Sequence, residues 1–105
     1  MNPGLLFKIQ QAIKEEKVSF TNHSKDEADN DNLRFSQIFN SVMNGDVIED
    51  YPADKPYPSC LIYGRTESGD PVHSVWGYNK ESGFVVLITV YKPDPERWIE
   101  FRERK

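Results

Sequence analysis

The chain of 105 residues fits a single domain, residues 1–105, with one hydrophobic core. With 37% hydrophobic and 29% charged residues, its composition argues against collagen-like, strongly disordered and membrane-spanning classes. The net charge of −4 argues against a protein that coats nucleic acid, because such a protein needs a basic surface for phosphate contacts. All of the acidic excess lies in residues 1–55, with six Lys/Arg and ten Asp/Glu, whereas residues 56–105 hold seven of each.

Two features of the sequence point to the cytoplasm and away from a membrane. No stretch contains the ~18 consecutive apolar residues of a spanning helix, and the N-terminus lacks the basic-then-apolar layout of a signal peptide. The single cysteine, Cys60, cannot form an internal disulfide or a multi-cysteine zinc site, which agrees with a reducing compartment. We therefore expect a cytoplasmic protein.

The N-terminal residues have helical spacing. One apolar stripe, at i, i+1, i+4, i+7 and i+8, predicts an amphipathic helix over residues 3–16. Residues 17–20 are short and β-leaning. A second, very polar helix is predicted to run through His23 to about residue 30, with Thr21 or Asn22 as its N-cap.

A third helix is predicted from Leu33 to residue 43. Its apolar residues again recur at helical spacing. Asn44 and Gly45 follow, and we expect them to end the helix with a C-terminal glycine cap.

After residue 45 the apolar spacing changes from helical to strand-like. Short connections rich in Pro, Gly, Asp and Ser separate the runs. The predicted strands are residues 46–51, 59–64, 72–78 and 84–91. The last is continuously apolar, which is typical of a central strand. The fold class is therefore α+β, with N-terminal helices packed on a four-stranded, mainly antiparallel sheet. In the tail, Trp98, Ile99 and Phe101 are predicted to pack on the sheet while the arginines stay in water.

Four stretches of the sequence carry a resemblance to a known family: FTNHS (20–24), NGDVIEDYPADKPYPSCLIYGR (44–65), GDPVHSVWG (69–77) and ITVYKPDPERWIEFRERK (88–105). Together they resemble a small bacterial family catalogued as domain of unknown function 4258. Residues 20–105 thus form the family-like core, and residues 1–16 are an added N-terminal helix. The sequence departs from the family pattern at Asn32, where a glycine is common, and at Arg34, where a threonine cap is common.

This resemblance implies a RelE-like toxin fold and, with it, a toxin-like endoribonuclease or a relative that has lost activity. Its implied partners are an antitoxin protein and RNA. The same fold without catalysis would be a protein-interaction module, which is the alternative that we carry forward. The sequence leaves the oligomeric state open.

Metal-independent RNA cleavage needs a base, an acid and cations for the phosphate. His73 could take either proton-transfer role, because imidazole titrates near neutrality. His23, near the first turn of the second helix, could act as a neutral base, and Tyr91 ends the last strand. Each could equally be structural: His73 as a hydrogen-bonding strand residue, His23 as a surface residue near a cap.

Four arginines are candidates for binding the substrate phosphate, because the guanidinium fork suits phosphate oxygens. They are Arg65, Arg97, Arg102 and Arg104. Ordinary solubility and i,i+4 pairing, such as Glu100 with Arg104, explain any one of them equally well.

The remaining chemical groups are weaker candidates. Glu49 and Asp50 are adjacent in a strand and point to opposite faces, so they would not act as an acid–base pair. Cys60 looks like a small buried hydrophobe. A hard-cation site that uses the acidic run at residues 26–31 is a third, weaker idea, and no metal or cofactor is expected.

Overall fold

The computed structural model describes residues 3–105, which form three α-helices and seven β-strands. The helices are α1 (Pro3–Lys14), α2 (Asn22–Asn30) and α3 (Phe35–Met43). The strands are β1 (Val18–Phe20), β2 (Asp46–Tyr51), β3 (Ser59–Arg65), β4 (Pro71–Asn79), β5 (Phe84–Tyr91), β6 (Trp98–Ile99) and β7 (Glu103–Arg104). No helix within residues 3–105 is long and apolar enough to cross a membrane.

The main sheet has five strands in the order β1-β5-β4-β3-β2. β2 to β5 form the predicted antiparallel meander. The α+β class is confirmed, but the count of four strands is wrong, because β1 adds a fifth strand parallel to β5. The three residues of β1 are too few to show an alternating apolar pattern, and the strand that pairs with them lies more than 60 residues further along the chain. Because β1 pairs with its outer edge, β5 is an internal strand of the sheet, in keeping with its apolar sequence, although β4 is the central strand.

One face of the sheet packs against the helices. Fully buried side chains from α1, α3 and the central strands meet there, among them Ile9, Ile38 and Trp76. The indole Nε1 of Trp76 donates to Ser74 Oγ over 2.9 Å, which satisfies its polar atom inside the core. The predicted N-terminal helix therefore contributes directly to the main core.

The polar helix α2 begins as predicted, with Thr21 as its N-cap. The Thr21 hydroxyl accepts from the Ser24 amide over 3.0 Å and donates to the Ile88 carbonyl over 3.0 Å, so one residue caps the helix and ties it to β5. Asn32 follows the helix with φ of 55°, a conformation that favours glycine or asparagine. This backbone explains how Asn32 can stand where the family often has glycine.

The start and end of α3 differ from the prediction. At the start, the Arg34 amide donates to Gln37 Oε1 over 2.9 Å, so Gln37 satisfies the N-cap amide, which is a different backbone donor from those that a threonine side chain would cap. At the end, the glycine cap is wrong, because Gly45, which follows the C-cap residue Asn44, does not adopt the positive φ that such a cap requires. Gly45 is needed for space instead, since a Cβ there would lie 2.5 Å from the Ser41 carbonyl oxygen.

The C-terminal tail forms a small separate hairpin, β6–β7, on the face of the sheet opposite the helices. Its Trp98 is buried as predicted and Phe101 is half-buried, whereas Ile99 is 48% exposed and does not pack as predicted. The turn places Glu100 and Phe101 at φ of 51° and 61°, and the Arg102 amide closes it on the Ile99 carbonyl over 2.9 Å. These values describe a type I′ turn without its usual Asn-Gly sequence.

Candidate functional site

His73 is fully buried between the sheet and the C-terminal hairpin. In β4 it pairs with Tyr63 of β3 on one side and Tyr91 of β5 on the other. Trp98 of β6 covers it, with the indole perpendicular to the imidazole and 4.4 Å between the ring centroids. The backbone carbonyl of Phe101, in the hairpin turn, contacts Nε2 of the His73 ring. The imidazole is therefore surrounded by aromatic rings.

Both ring nitrogens of His73 are hydrogen-bonded within the protein. Nε2 lies 2.6 Å from the Phe101 carbonyl oxygen, which only accepts, so Nε2 carries the proton. Burial lowers the pKa of His73 below 6.5 and outweighs the Phe101 hydrogen bond, which raises it. In this neutral tautomer Nδ1 is an acceptor, and it lies 3.2 Å from the Tyr91 hydroxyl, which donates to it.

Tyr91 connects this buried imidazole to the surface. Its side chain is half-buried, and burial raises its pKa, so the phenol is neutral at physiological pH. It also lines an open groove of about 680 Å³ along the tail. The groove holds four cationic and two anionic residues besides Tyr91 and Trp98: Lys92, Arg97, Arg104, Lys105, Asp94 and Glu96. It is thus locally cationic on an acidic protein.

Of the predicted phosphate ligands, Arg97 and Arg104 lie in this groove. They differ in how strongly other side chains of the protein hold them. Arg97 is 84% exposed, with Asp94 4.0 Å away. Arg104 lies 4.7 Å over the Trp98 ring and binds Glu49 of β2 through two hydrogen bonds of 2.9 and 3.0 Å. Arg97 is therefore available to a ligand, whereas Arg104 chiefly docks the hairpin on the sheet.

Glu49 holds Arg104 together with a second partner, the Tyr51 hydroxyl, which donates to the same carboxylate. The Arg104 hydrogen bonds lower the pKa of Glu49, and Glu49 in turn raises the pKa of Arg104. Burial raises the pKa of Tyr51 to about 12, and its bond to Glu49 adds to this effect. Our sequence reasoning missed this group, although the alternation of Glu49 and Tyr51 on one strand face was a usable signal.

Arg65 and Arg102 lie on the other side of His73, near Tyr63, and do not line the groove. Arg102 is bound to Asp46 at 2.8 Å and lies over the Tyr63 ring at 5.2 Å. Arg65 donates to the Gly69 carbonyl over 2.7 Å and lies 5.7 Å from the Tyr63 ring centre. The four predicted arginines thus form two pairs, one that lines the groove and one that lies near Tyr63.

His23 is not brought to His73 or Tyr91. Its exposed ring lies on α2, with Nε2 3.2 Å from Glu27 Oε1, and Glu27 also accepts from the Val90 amide over 3.1 Å. Within residues 3–105 no three His, Cys, Asp or Glu side chains gather as a metal site. Burial raises the pKa of Cys60 to about 12, so this thiol stays neutral.

The family assignment follows from residues 20–92, more than two-thirds of the chain, which match the family described as Domain of unknown function (DUF4258). The chain belongs to this family. No curated protein and no solved structure matches the chain. The DUF4258 region includes His23, Arg65, His73 and Tyr91 and ends at residue 92. The resemblance that we followed to residue 105 therefore extends past the match, which leaves out both α1 and the C-terminal hairpin.

Proposed function

We propose that this protein is a toxin-like endoribonuclease with a RelE-like toxin fold, which cleaves RNA without metal and is inhibited by an antitoxin partner. The observation that carries the proposal is the position of Tyr91, whose hydroxyl contacts the buried His73 and also lines the cationic groove. Helices on a mainly antiparallel sheet are compatible with the proposed fold. The groove supplies cations for phosphate oxygens despite the net charge of −4.

In the proposed reaction the 2′-hydroxyl attacks the neighbouring phosphorus, and Tyr91 takes its proton. At the same time the phenol passes its own proton to Nδ1 of His73, so that Tyr91 remains neutral. The bond from phosphorus to the 5′ oxygen breaks, which leaves a 2′,3′-cyclic phosphate, and water protonates the leaving oxygen. Burial and Arg104 disfavour the imidazolium of His73, and Glu49 opposes their effect electrostatically. Arg97 binds the phosphate.

The test is cleavage of a labelled single-stranded RNA by purified protein, freed of any partner, in the presence of EDTA. We expect cleavage by the wild type and a loss of about 10²-fold or more in Tyr91→Phe, which keeps the ring and removes the relay. Tyr78→Phe, a matched change at another half-buried strand tyrosine, should cleave normally. Intact RNA with the wild type, or normal cleavage by Tyr91→Phe, would overturn the proposal.

The burial of His73 favours a second candidate, a catalytically inactive protein-interaction module. Both of its nitrogens are satisfied internally, and Arg102 and Arg104 are held by carboxylates, as in a purely structural arrangement. In that case wild-type protein leaves RNA intact, and its overexpression leaves cells unharmed. Growth arrest that depends on Tyr91 would exclude this candidate.

A further inference from the structure

A second cleft, of about 470 Å³, lies away from the groove, between α1, the proline-rich segment 52–58 and the residues that follow β4. Its volume is within the range of ligand sites in proteins. One wall comes from α1, which lies outside the family match, and the other walls come from the family region. The cleft therefore exists only where the added helix meets the core.

The lining combines tyrosine rings with proline rings. Tyr57 and Tyr78 are half-buried and line the cleft with Pro52, Pro56 and Pro58. Lys8 of α1 lies 5.6 Å over the Tyr78 ring. Such flat, rigid, partly apolar side chains lose little conformational entropy on binding. Aromatic-lined grooves are also the surfaces on which extended proline-rich segments dock.

A hydrogen-bond chain fixes the polar part of the cleft. The Glu81 amide donates to Oδ1 of Asn79 over 3.1 Å, so the Asn79 side chain presents Nδ2 to the Tyr57 hydroxyl at 3.3 Å. Because the Tyr57 oxygen accepts this bond, its own proton is available to donate outward. A polyproline II segment offers mostly carbonyl acceptors and few donors, which complements a cleft that presents a donor.

The charge of the cleft argues for a peptide over a polyanion. Two lysines, Lys8 and Lys80, are balanced by two carboxylates, Asp50 and Glu81, so the cleft has no net positive charge to attract phosphates. The whole chain has a net charge of −4, which favours a basic partner.

We propose that this cleft binds a proline-rich segment of a protein partner, in the polyproline II conformation and with a basic residue beside the prolines. The prolines pack on Tyr57 and Tyr78, a backbone carbonyl accepts from the Tyr57 hydroxyl, and the basic residue pairs with Asp50 or Glu81. This site is independent of the groove at Tyr91, so the proposal does not rest on RNA cleavage.

The test is a titration of the ¹⁵N-labelled full chain with a synthetic peptide of one arginine followed by five prolines. We expect amide shifts at Tyr57, Asn79 and Glu81, and little response to a matched peptide with glycines for prolines. Tyr57→Phe should weaken binding by about threefold to tenfold, and Tyr57→Ala by more than about tenfold. Ile99→Ala, an exposed change on the hairpin, is the matched control and should bind normally.

Three results would overturn the proposal. They are no shifts at millimolar peptide, shifts confined to residues outside the cleft, and equal binding of the glycine peptide. The amide spectrum of each variant reports whether it is folded, and Tyr57→Phe retains the ring, so the hydroxyl is tested even if Tyr57→Ala unfolds.

Discussion

The residue type of His73 is compatible with two different roles, proton transfer and structural hydrogen bonding, and only its surroundings distinguish them. In sequence it is a strand histidine of the kind that proton transfer requires. In the structure it is enclosed by Trp98 and Tyr63, and its Nδ1 accepts a hydrogen bond from the half-buried Tyr91 hydroxyl. In the proposed reaction, Tyr91 therefore contacts the substrate and His73 acts through Tyr91.

The burial of His73 predicts how stability depends on pH. Its pKa in the folded protein is below the unfolded value of 6.5, so the folded state binds fewer protons. The free energy of unfolding should therefore hold above pH 6.5 and fall as the pH is lowered through the folded pKa. Urea unfolding at pH 7.5 and 5.5 measures this loss, which His73→Gln should reduce. An undiminished pH dependence in His73→Gln would contradict this prediction, and exposed His23→Gln is the control.

Glu100 occupies a left-handed position, at φ of 51°, that costs a non-glycine residue about 1–2 kcal/mol. Asparagine tolerates this conformation better, so Glu100→Asn should stabilise the protein by about 0.5–1 kcal/mol. We expect the Tm to rise by roughly 2–8 °C in a thermal melt. Glu103→Asn removes the same charge from an extended strand position and should give no such gain. An unchanged Tm in Glu100→Asn would mean that the hairpin melts apart from the sheet.

At the scale of elements, α3 and β3 approach each other unusually closely, and Gly64 makes this possible. A Cβ at Gly64 would lie 1.7 Å from the Ser41 carbonyl oxygen of α3, which is rigid backbone. Gly64→Ala should therefore force the helix off the sheet and lower the free energy of unfolding by about 1–3 kcal/mol or more, measured by urea denaturation.

The matched control for Gly64 is Gly77, on the next strand. Its added Cβ would meet the flexible end of Ile88 at 3.3 Å, so Gly77→Ala should stay within about 1 kcal/mol of the wild type. If the two alanine variants were equally stable, the close approach of α3 and β3 would not be a constraint on the fold.

At the scale of the whole molecule, α1 lies outside the family match yet supplies core side chains. We propose that residues 1–105 unfold as one domain. Ile9 is fully buried, so Ile9→Ala should cost about 2–5 kcal/mol, a large part of a typical total of about 5–15 kcal/mol.

Circular dichroism and tryptophan fluorescence should report a single, coincident transition for Ile9→Ala at a lower urea concentration. Phe7→Ala, on the same helix but 62% exposed, should change stability by less than about 0.5 kcal/mol. A helix signal that melts before the tryptophan signal would show that α1 is a separate unit.

The predictable part of the fold was the part with long, regular patterns. The α1 stripe, the Thr21 cap and the ranges of β2 to β5 follow from spacing and local hydrogen bonding. The pairing of β1 with β5 and the hairpin at residues 98–104 were not predictable, because two or three residues carry no periodicity. For the site, the sequence identified the candidate residues, but it did not show which of their side chains are hydrogen-bonded or ion-paired within the protein.

Sequence alone determined the α+β class, the three helices, the meander and the family, because these depend on local periodicity and on residues in order along the chain. Only the tertiary structure decided that His73 is buried, that Tyr91 faces a groove and that Arg102 and Arg104 are bound to Asp46 and Glu49. These contacts join residues up to 56 positions apart. They depend on how the tail folds back across the sheet, and no local pattern encodes that path.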